Sequence, residues 1–240
     1  LPDSIPAFIY KIKGRRWVAG FFLKAFRENR IHVLTQALAS KLIKKHADMV
    51  VLTNPTMYYL FPDKKKTWIN GGIDMDLAGL SEEEKIYDYV WCGRIHPSKG
   101  IDKLIADWKR IISFNPDAKL AIIGDGDLGI DYIKKRIRKG ITFFGYMGDQ
   151  RYEVYKKSKK VLYTVLPGHD HFSMAPVEAM ACGCSLICLD LDTVKWFKEN
   201  MGLITNGTEK ESYDFAKQFD YRKEATRVWK EIEEYSNNWL

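Results

Sequence analysis

Asp170 and Glu178 are carboxylates eight positions apart in the run His169-Asp170-His171-Phe172-Ser173-Met174-Ala175-Pro176-Val177-Glu178-Ala179-Met180-Ala181-Cys182-Gly183. Pro suits the first turn of a helix, where its missing N–H needs no partner, and Gly suits the end. The spacing predicts a short helix over 176–182, with Glu178 in its first turn at the positive end of the helix dipole. A carboxylate there stays ionised and accepts hydrogen bonds from vicinal hydroxyls, such as those of a ribose. Asp170 lies ahead of the helix in a loop, within reach of another hydroxylated group. Backbone N–H groups from Phe172 to Ala175 are expected to point into the same space. Taken singly, Glu178 is only a helix-start charge and Asp170 only a turn former.

A second cluster changes that balance. In Cys92-Gly93-Arg94-Ile95-His96-Pro97-Ser98-Lys99-Gly100-Ile101-Asp102, Arg94 falls at a strand end and Lys99 five residues later, near a helix start. Two cations beside a helix N-terminus suit an anion such as a diphosphate. Gly124-Asp125-Gly126-Asp127-Leu128-Gly129 follows an apolar run and formally matches the dinucleotide fingerprint of an NAD-linked oxidoreductase. The next strand ends in Gly145-Tyr146 with no acid for a ribose, and the glycines open the second unit rather than the first. The preferred reading is a tight strand-to-helix turn near a ligand.

The elements that must position these residues alternate from Tyr87 onward. Apolar runs over 88–94, 119–123, 141–144, 160–166, 185–189 and 202–204 read as strands buried on both faces. Helical spacing falls between them over 99–113, 128–138, 150–157, 176–182 and 193–199. Repeated β-α units imply an α/β fold with a doubly wound parallel sheet, whose ligands bind beyond the carboxyl ends of the strands. Before them, 33–47 reads as a helix, 48–53 as a strand, 56–60 as a short helix and 66–69 as a strand. Two helices, over 209–218 and 221–235, close the chain. The expected division is a partial N-terminal segment over 1–80, a Rossmann-like domain over 81–220, and a C-terminal helix over 221–240 packing back on the N-terminal part.

Composition narrows the function classes. The chain has 240 residues, 46% hydrophobic and 29% charged, as in ordinary globular proteins. No apolar run reaches the roughly 18 residues that span a bilayer. Residues 5–22 are broken by Lys11, Lys13, Arg15 and Arg16, which argues against a signal peptide. Cys92, Cys182, Cys184 and Cys188 lack disulfide or zinc spacing, which suggests a reducing, cytoplasmic setting. Cys182-Gly183-Cys184 reads as small buried residues at a helix–strand junction. Of the net charge of +7, residues 1–30 hold +5, from seven cations against Asp3 and Glu28. Trp17, Phe21, Phe22 and Phe26 interleave with those cations. Residues 8–30 are thus a candidate basic, aromatic helical segment for an anionic membrane surface. The rival is a solvated helix with its aromatics in a core. Nucleic acid is not expected, because no binding motif accompanies the cations.

Taken together, Gly93-Arg94, Lys99-Gly100, Ile123-Gly124-Asp125-Gly126, Phe143-Phe144-Gly145 and Glu178-Ala179-Met180-Ala181-Cys182-Gly183 resemble the retaining glycosyltransferases of family 4, with their GT-B fold. The likeness covers about 66–205, and Asn70-Gly71-Gly72-Ile73-Asp74 resembles that family's interdomain segment. It implies a metal-independent, cofactor-free transferase that moves a sugar from a UDP- or GDP-sugar to an acceptor (glycan, lipid or protein) with retention of configuration. Arg94 and Lys99 would hold the diphosphate and stabilise its leaving charge, the catalytic role. Gly93 belongs to the same donor-side block. Glu178 would bind the ribose, and Asp170 the transferred sugar. The loop of His171, Phe172, Ser173, Met174 and Ala175 would assist, and Gly145 and Tyr146 would lie against the base.

Two departures stand out. The family usually has Glu where Asp170 stands, and often small residues at His171 and Ser173. Only the last part of an acceptor domain is visible, and the chain starts at Leu1 rather than Met, so a fragment is the favoured reading over an abbreviated enzyme. The alternative function is a nucleotide-sugar-binding module or an epimerase of the same fold.

Overall fold

The computed structural model describes residues 16–21, 30–53, 55–69, 72–165, 173–188 and 205–237. The chain forms two compact units, Leu1–Gly72 with Tyr221–Leu240, and Ile73–Asp220.

In the first unit, β1 (Val18–Phe21), α1 (Arg30–His46), β2 (Met49–Leu52) and β3 (Lys65–Trp68) follow one another. The strands are parallel, in the order β1-β2-β3. Trp17, Ala19 and Phe21 alternate with exposed Val18 and Gly20, the period-two pattern of a half-buried strand. They join Ile43, Ala47, Val50, Leu52 and Phe61 in one core, where the Phe21 and Phe61 rings meet edge-on at 5.2 Å. The Trp17 amide donates to Asp48 Oδ2 at 2.8 Å, fixing the entry to β1.

This corrects the helical reading of residues 8–30 over Val18–Phe21, which form a strand. Trp17 and Phe21 are buried, as the rival reading of aromatics in a core expects. The rest of the segment lies outside the described residues.

The second unit alternates β4 (Tyr87–Cys92), α2 (Ile101–Phe114), β5 (Leu120–Ile123), α3 (Gly129–Lys134), β6 (Ile141–Gly145), α4 (Arg151–Lys156), β7 (Ser158–Leu162), α5 (Met174–Met180), β8 (Ser185–Ile187) and α6 (Glu209–Ala216). Its sheet is wholly parallel, in the order β6-β5-β4-β7-β8. The order reverses at β4, which makes the crevice at its carboxyl end the topological switch point. Val90, Ala121, Ile123 and Val161 bury on one face with Tyr155 of α4 and Val177, Ala179 and Met180 of α5. The alternating Trp91, Leu120, Ile122 and Leu162 bury on the other with Ile101, Leu104 and Trp108 of α2 and Ile133 of α3. Covering both faces explains the continuous apolar runs.

The fold class is the expected one, an α/β Rossmann-like doubly wound parallel sheet. Pairing in β7 ends at Leu162, four residues before the expected limit. The Tyr163 N–H still donates to the Ile187 carbonyl of β8 at 2.9 Å, and Thr164 and Val165 stay buried beyond the strand. The strand expected at 202–204 and the helix expected at 193–199 lie outside the described residues. The last helix, α7 (Tyr221–Asn237), belongs to the first unit. There Arg227 donates to the Trp68 carbonyl and pairs with Glu224 at 3.0 Å and Glu231 at 2.7 Å. No described helix is long and apolar enough to cross a membrane.

Candidate active site

At the carboxyl ends of β4, β5 and β6 lies a cavity of about 540 Å³. Three loop segments and two helices build it: Cys92–Arg94, Ile123–Asp125, Tyr146–Gly148, Arg151 at the start of α4, and Ala175 and Glu178 of α5.

The first two segments interlock through backbone. Gly93 N–H donates to Ile123 C=O at 3.1 Å, and Ile95 N–H to Asp125 C=O at 2.9 Å. Gly124 has φ +131°, and a Cβ there would come within 2.0 Å of the Gly93 carbonyl. The glycine-rich stretch is therefore a close crossing of two loops, as its reading as a tight turn expects. That crossing carries Arg94 to the cavity wall, where its side chain is exposed.

Lys99 ends a 3-10 turn, Pro97–Lys99, whose Ser98 N–H is capped by His96 Nδ1 at 3.2 Å. The Thr164 hydroxyl donates to the Lys99 carbonyl at 3.0 Å and accepts from Trp91 Nε1 at 2.9 Å. Gly100 follows with φ +70°, and a Cβ there would overlap the Thr164 carbonyl at 1.8 Å. The turn is thus clamped against the chain leaving β7. Lys99 is half-buried and is not among the residues lining the cavity.

The helix carrying Glu178 starts two residues earlier than expected. Ser173 is extended and Met174 opens α5, so Pro176 is the third helical residue and Glu178 lies in the second turn. Pro is tolerated there because the first four N–H groups of a helix have no intrahelical acceptor. Glu178 consequently takes its charge balance from a side chain rather than from the first turn. Arg151 Nε donates to its Oε2 at 2.8 Å and Nη2 to its Oε1 at 2.9 Å, while Nη1 donates to the Gly148 carbonyl at 2.6 Å. The Tyr155 hydroxyl stands 3.5 Å from Oε2, the outer limit of a hydrogen bond. The hydrogen bonds that it donates to Glu178, with the charge of that carboxylate, hold the Arg151 guanidinium protonated, above its ordinary range, against partial burial.

Burial raises the Tyr155 phenol well above its usual value and pushes the thiol of cavity-lining Cys92 up to about 11. Both therefore sit as neutral groups. Cys182 and Cys184 are also buried free thiols, and Cys184 Sγ donates to the Tyr155 and Ser158 carbonyls at 3.2 and 3.3 Å. That is the packing role expected of them.

Gly93, Arg94, Tyr146, Ala175 and Glu178 thus come together around one cavity. Gly145 ends β6 and accepts from Gly124 N–H at 2.7 Å. Tyr146 stands 87% exposed at the lip. Ser173 precedes α5, and Met174 packs against the core. Asp170, His171 and Phe172 lie outside the described residues. Arg151, which lines the cavity and pairs with Glu178, is not among the residues that the sequence singles out. It is 27 positions from Glu178, and no periodicity links the two.

The family model for glycosyl transferases group 1 matches residues 87–219, more than half of the chain and all of the cavity. The chain belongs to this family. A phosphatidyl-myo-inositol mannosyltransferase of Mycobacterium tuberculosis is 28% identical over 138 residues, covering 53% of this chain and 35% of its own length. A GDP-mannose-dependent alpha-(1-6)-phosphatidylinositol dimannoside mannosyltransferase of the same species is 32% identical over 95 residues, 39% of this chain and 25% of its own. The group 1 chain thus spans about a third or less of the length of these curated relatives. Among solved structures, Anabaena HepE in complex with UDP superposes with a TM-score of 0.74 at 16% identity, over 96% of this chain and 76% of HepE. At that identity the likeness speaks for the fold.

Proposed function

We propose that the second unit is the donor-binding half of a retaining, metal-independent glycosyltransferase that uses a UDP- or GDP-sugar. The observation that carries this reading is one cavity, at the switch point of the sheet, that brings Arg94, Glu178 and the Tyr146 lip together. A nucleoside diphosphate matches that set: a hydroxylated ring for the carboxylate, an anion for the cation, and a flat base for the lip.

In this reading Arg94 and Lys99 neutralise the diphosphate as the glycosidic bond to the donor phosphate breaks. A preorganised cation acts most strongly where charge develops during the reaction. Glu178 accepts hydrogen bonds from the ribose hydroxyls. Asp170, with the backbone of His171 to Ala175, orients the sugar, while Gly145 and Tyr146 border the base. The acceptor is a glycan, lipid or protein; the mannosyltransferase relatives, named for phosphatidylinositol substrates, keep a lipid within that range. The four free thiols favour a reducing, cytoplasmic setting.

Calorimetric titration of UDP and GDP into the full chain tests the site. Binding of one of them is expected, and Glu178→Ala should weaken it about tenfold or more, the worth of a hydrogen bond to a charged group. In the intact protein, Glu178→Ala or Lys99→Ala should abolish donor-dependent transfer, and unchanged turnover in both would refute the assignment. Product anomeric configuration by NMR tests retention, and turnover after chelator treatment tests metal independence. Nucleotide binding without transfer to any acceptor would favour a binding module.

A further inference from the structure

We propose that Arg151 is a positioning residue that gives this cavity its preference for ribonucleotides over deoxyribonucleotides, acting through Glu178. The inference rests on the reading of the cavity as a nucleotide site.

A glutamate side chain is flexible, and a single carboxylate acceptor discriminates poorly between one hydroxyl and two. Arg151 removes that freedom. Its fork meets both carboxylate oxygens, at 2.8 and 2.9 Å, in the planar bidentate geometry that fixes orientation as well as distance. The fork is itself anchored, by Nη1 donating to the Gly148 carbonyl at 2.6 Å. Both Arg151 and Glu178 line the cavity, so the pair is part of its wall.

The lone pairs set the selectivity. An ionised carboxylate offers about four acceptor positions, two on each oxygen. The fork takes one on each. Tyr155, a neutral donor buried behind the pair, stands 3.5 Å from Oε2. Oε1 thus keeps a second acceptor position, and Oε2 keeps one that is only weakly contested. A vicinal diol presents two donors at matching separation, and a 2′-deoxy sugar presents one fewer. The loss then leaves a partly desolvated carboxylate oxygen unsatisfied, which costs more than a lost hydrogen bond in water.

A merely structural tie between α4 and α5 predicts something different. It would change the melting temperature when broken but would weaken ribo- and deoxyribonucleotides alike.

The test is calorimetric titration of UDP, 2′-deoxy-UDP, GDP and 2′-deoxy-GDP into the full chain and into Arg151→Gln and Arg151→Lys, with melting temperatures recorded for each. The wild-type protein should prefer the ribo form of the base it binds by about tenfold or more. Arg151→Gln should bring that ratio to within about threefold of unity, and Arg151→Lys, which keeps the charge but not the fork, should hold part of it. Should Arg151→Gln fail to fold, the Lys variant alone decides: a ratio below the wild-type value supports the inference, and one equal to it overturns the inference. A wild-type ribo preference kept in both variants overturns the inference and leaves the nucleotide site standing. Failure of the wild-type protein to bind either UDP or GDP overturns the site reading and the inference together.

Discussion

The two units use the same parallel β-α grammar to different ends. In the second, every sheet residue from Leu120 to Ile123 is buried, because helices cover both faces. In the first, three strands share one described core, and α1 leaves Ile31, Leu34 and Leu38 at 73%, 63% and 46% exposure. The difference is in how much tertiary constraint each position carries. A strand walled on both faces tolerates little change and holds its carboxyl end rigidly, which is what a site at that end requires. A one-sided helix carries its constraint only on the buried stripe.

Substitutions should break along that line. Trp108→Ala removes a ring that is fully buried against Tyr89 and hydrogen-bonded to the Lys139 carbonyl at 3.0 Å. It should cost about 3–5 kcal/mol, seen as a lower urea midpoint by circular dichroism. Arg227→Ala, in the first unit, removes the hydrogen bond to the Trp68 carbonyl and one ion pair of buried Glu224, and should cost about 1.5–3 kcal/mol in the same assay.

The thiols give a pH test confined to the second unit. Burial holds Cys92 protonated to about 11 and Cys182 to about 12, against an ordinary value of 9.0. The unfolded chain therefore releases these protons first as pH rises. The stability that this represents is complete below pH 9 and is lost progressively toward 11–12. Melting temperature should fall over that window, and Cys182→Ala should flatten part of the fall. Smallest of all, Leu34→Ala on the exposed face of α1 should change stability by less than about 0.5 kcal/mol. A loss comparable to that of Trp108→Ala would erase the contrast between the units.

Much of the second unit was legible beforehand, since buried parallel strands read as unbroken apolar runs and α2 shows its stripe at Ile101, Leu104, Ile105 and Trp108. The short β1 was not. Its four residues alternate only twice, and the neighbouring cations and aromatics imitate an amphipathic helix. The start of α5 was misread for a related reason: Pro fits any position of a first turn, so Pro176 alone does not say which one it holds.

By itself, the order of residues determined the alternation of elements, the class of the sheet, and which blocks stand at its carboxyl ends. Those follow from local periodicity and from glycines and prolines whose backbone limits act within a few residues. Only the tertiary structure decided how Glu178 is held. The expected helix-start field gives way to the Arg151 fork, because α4 and α5 are brought side by side across 27 residues of chain. No local rule encodes that distance. It is set by the packing of both helices on one face of the sheet, and with it the chemistry of the cavity wall.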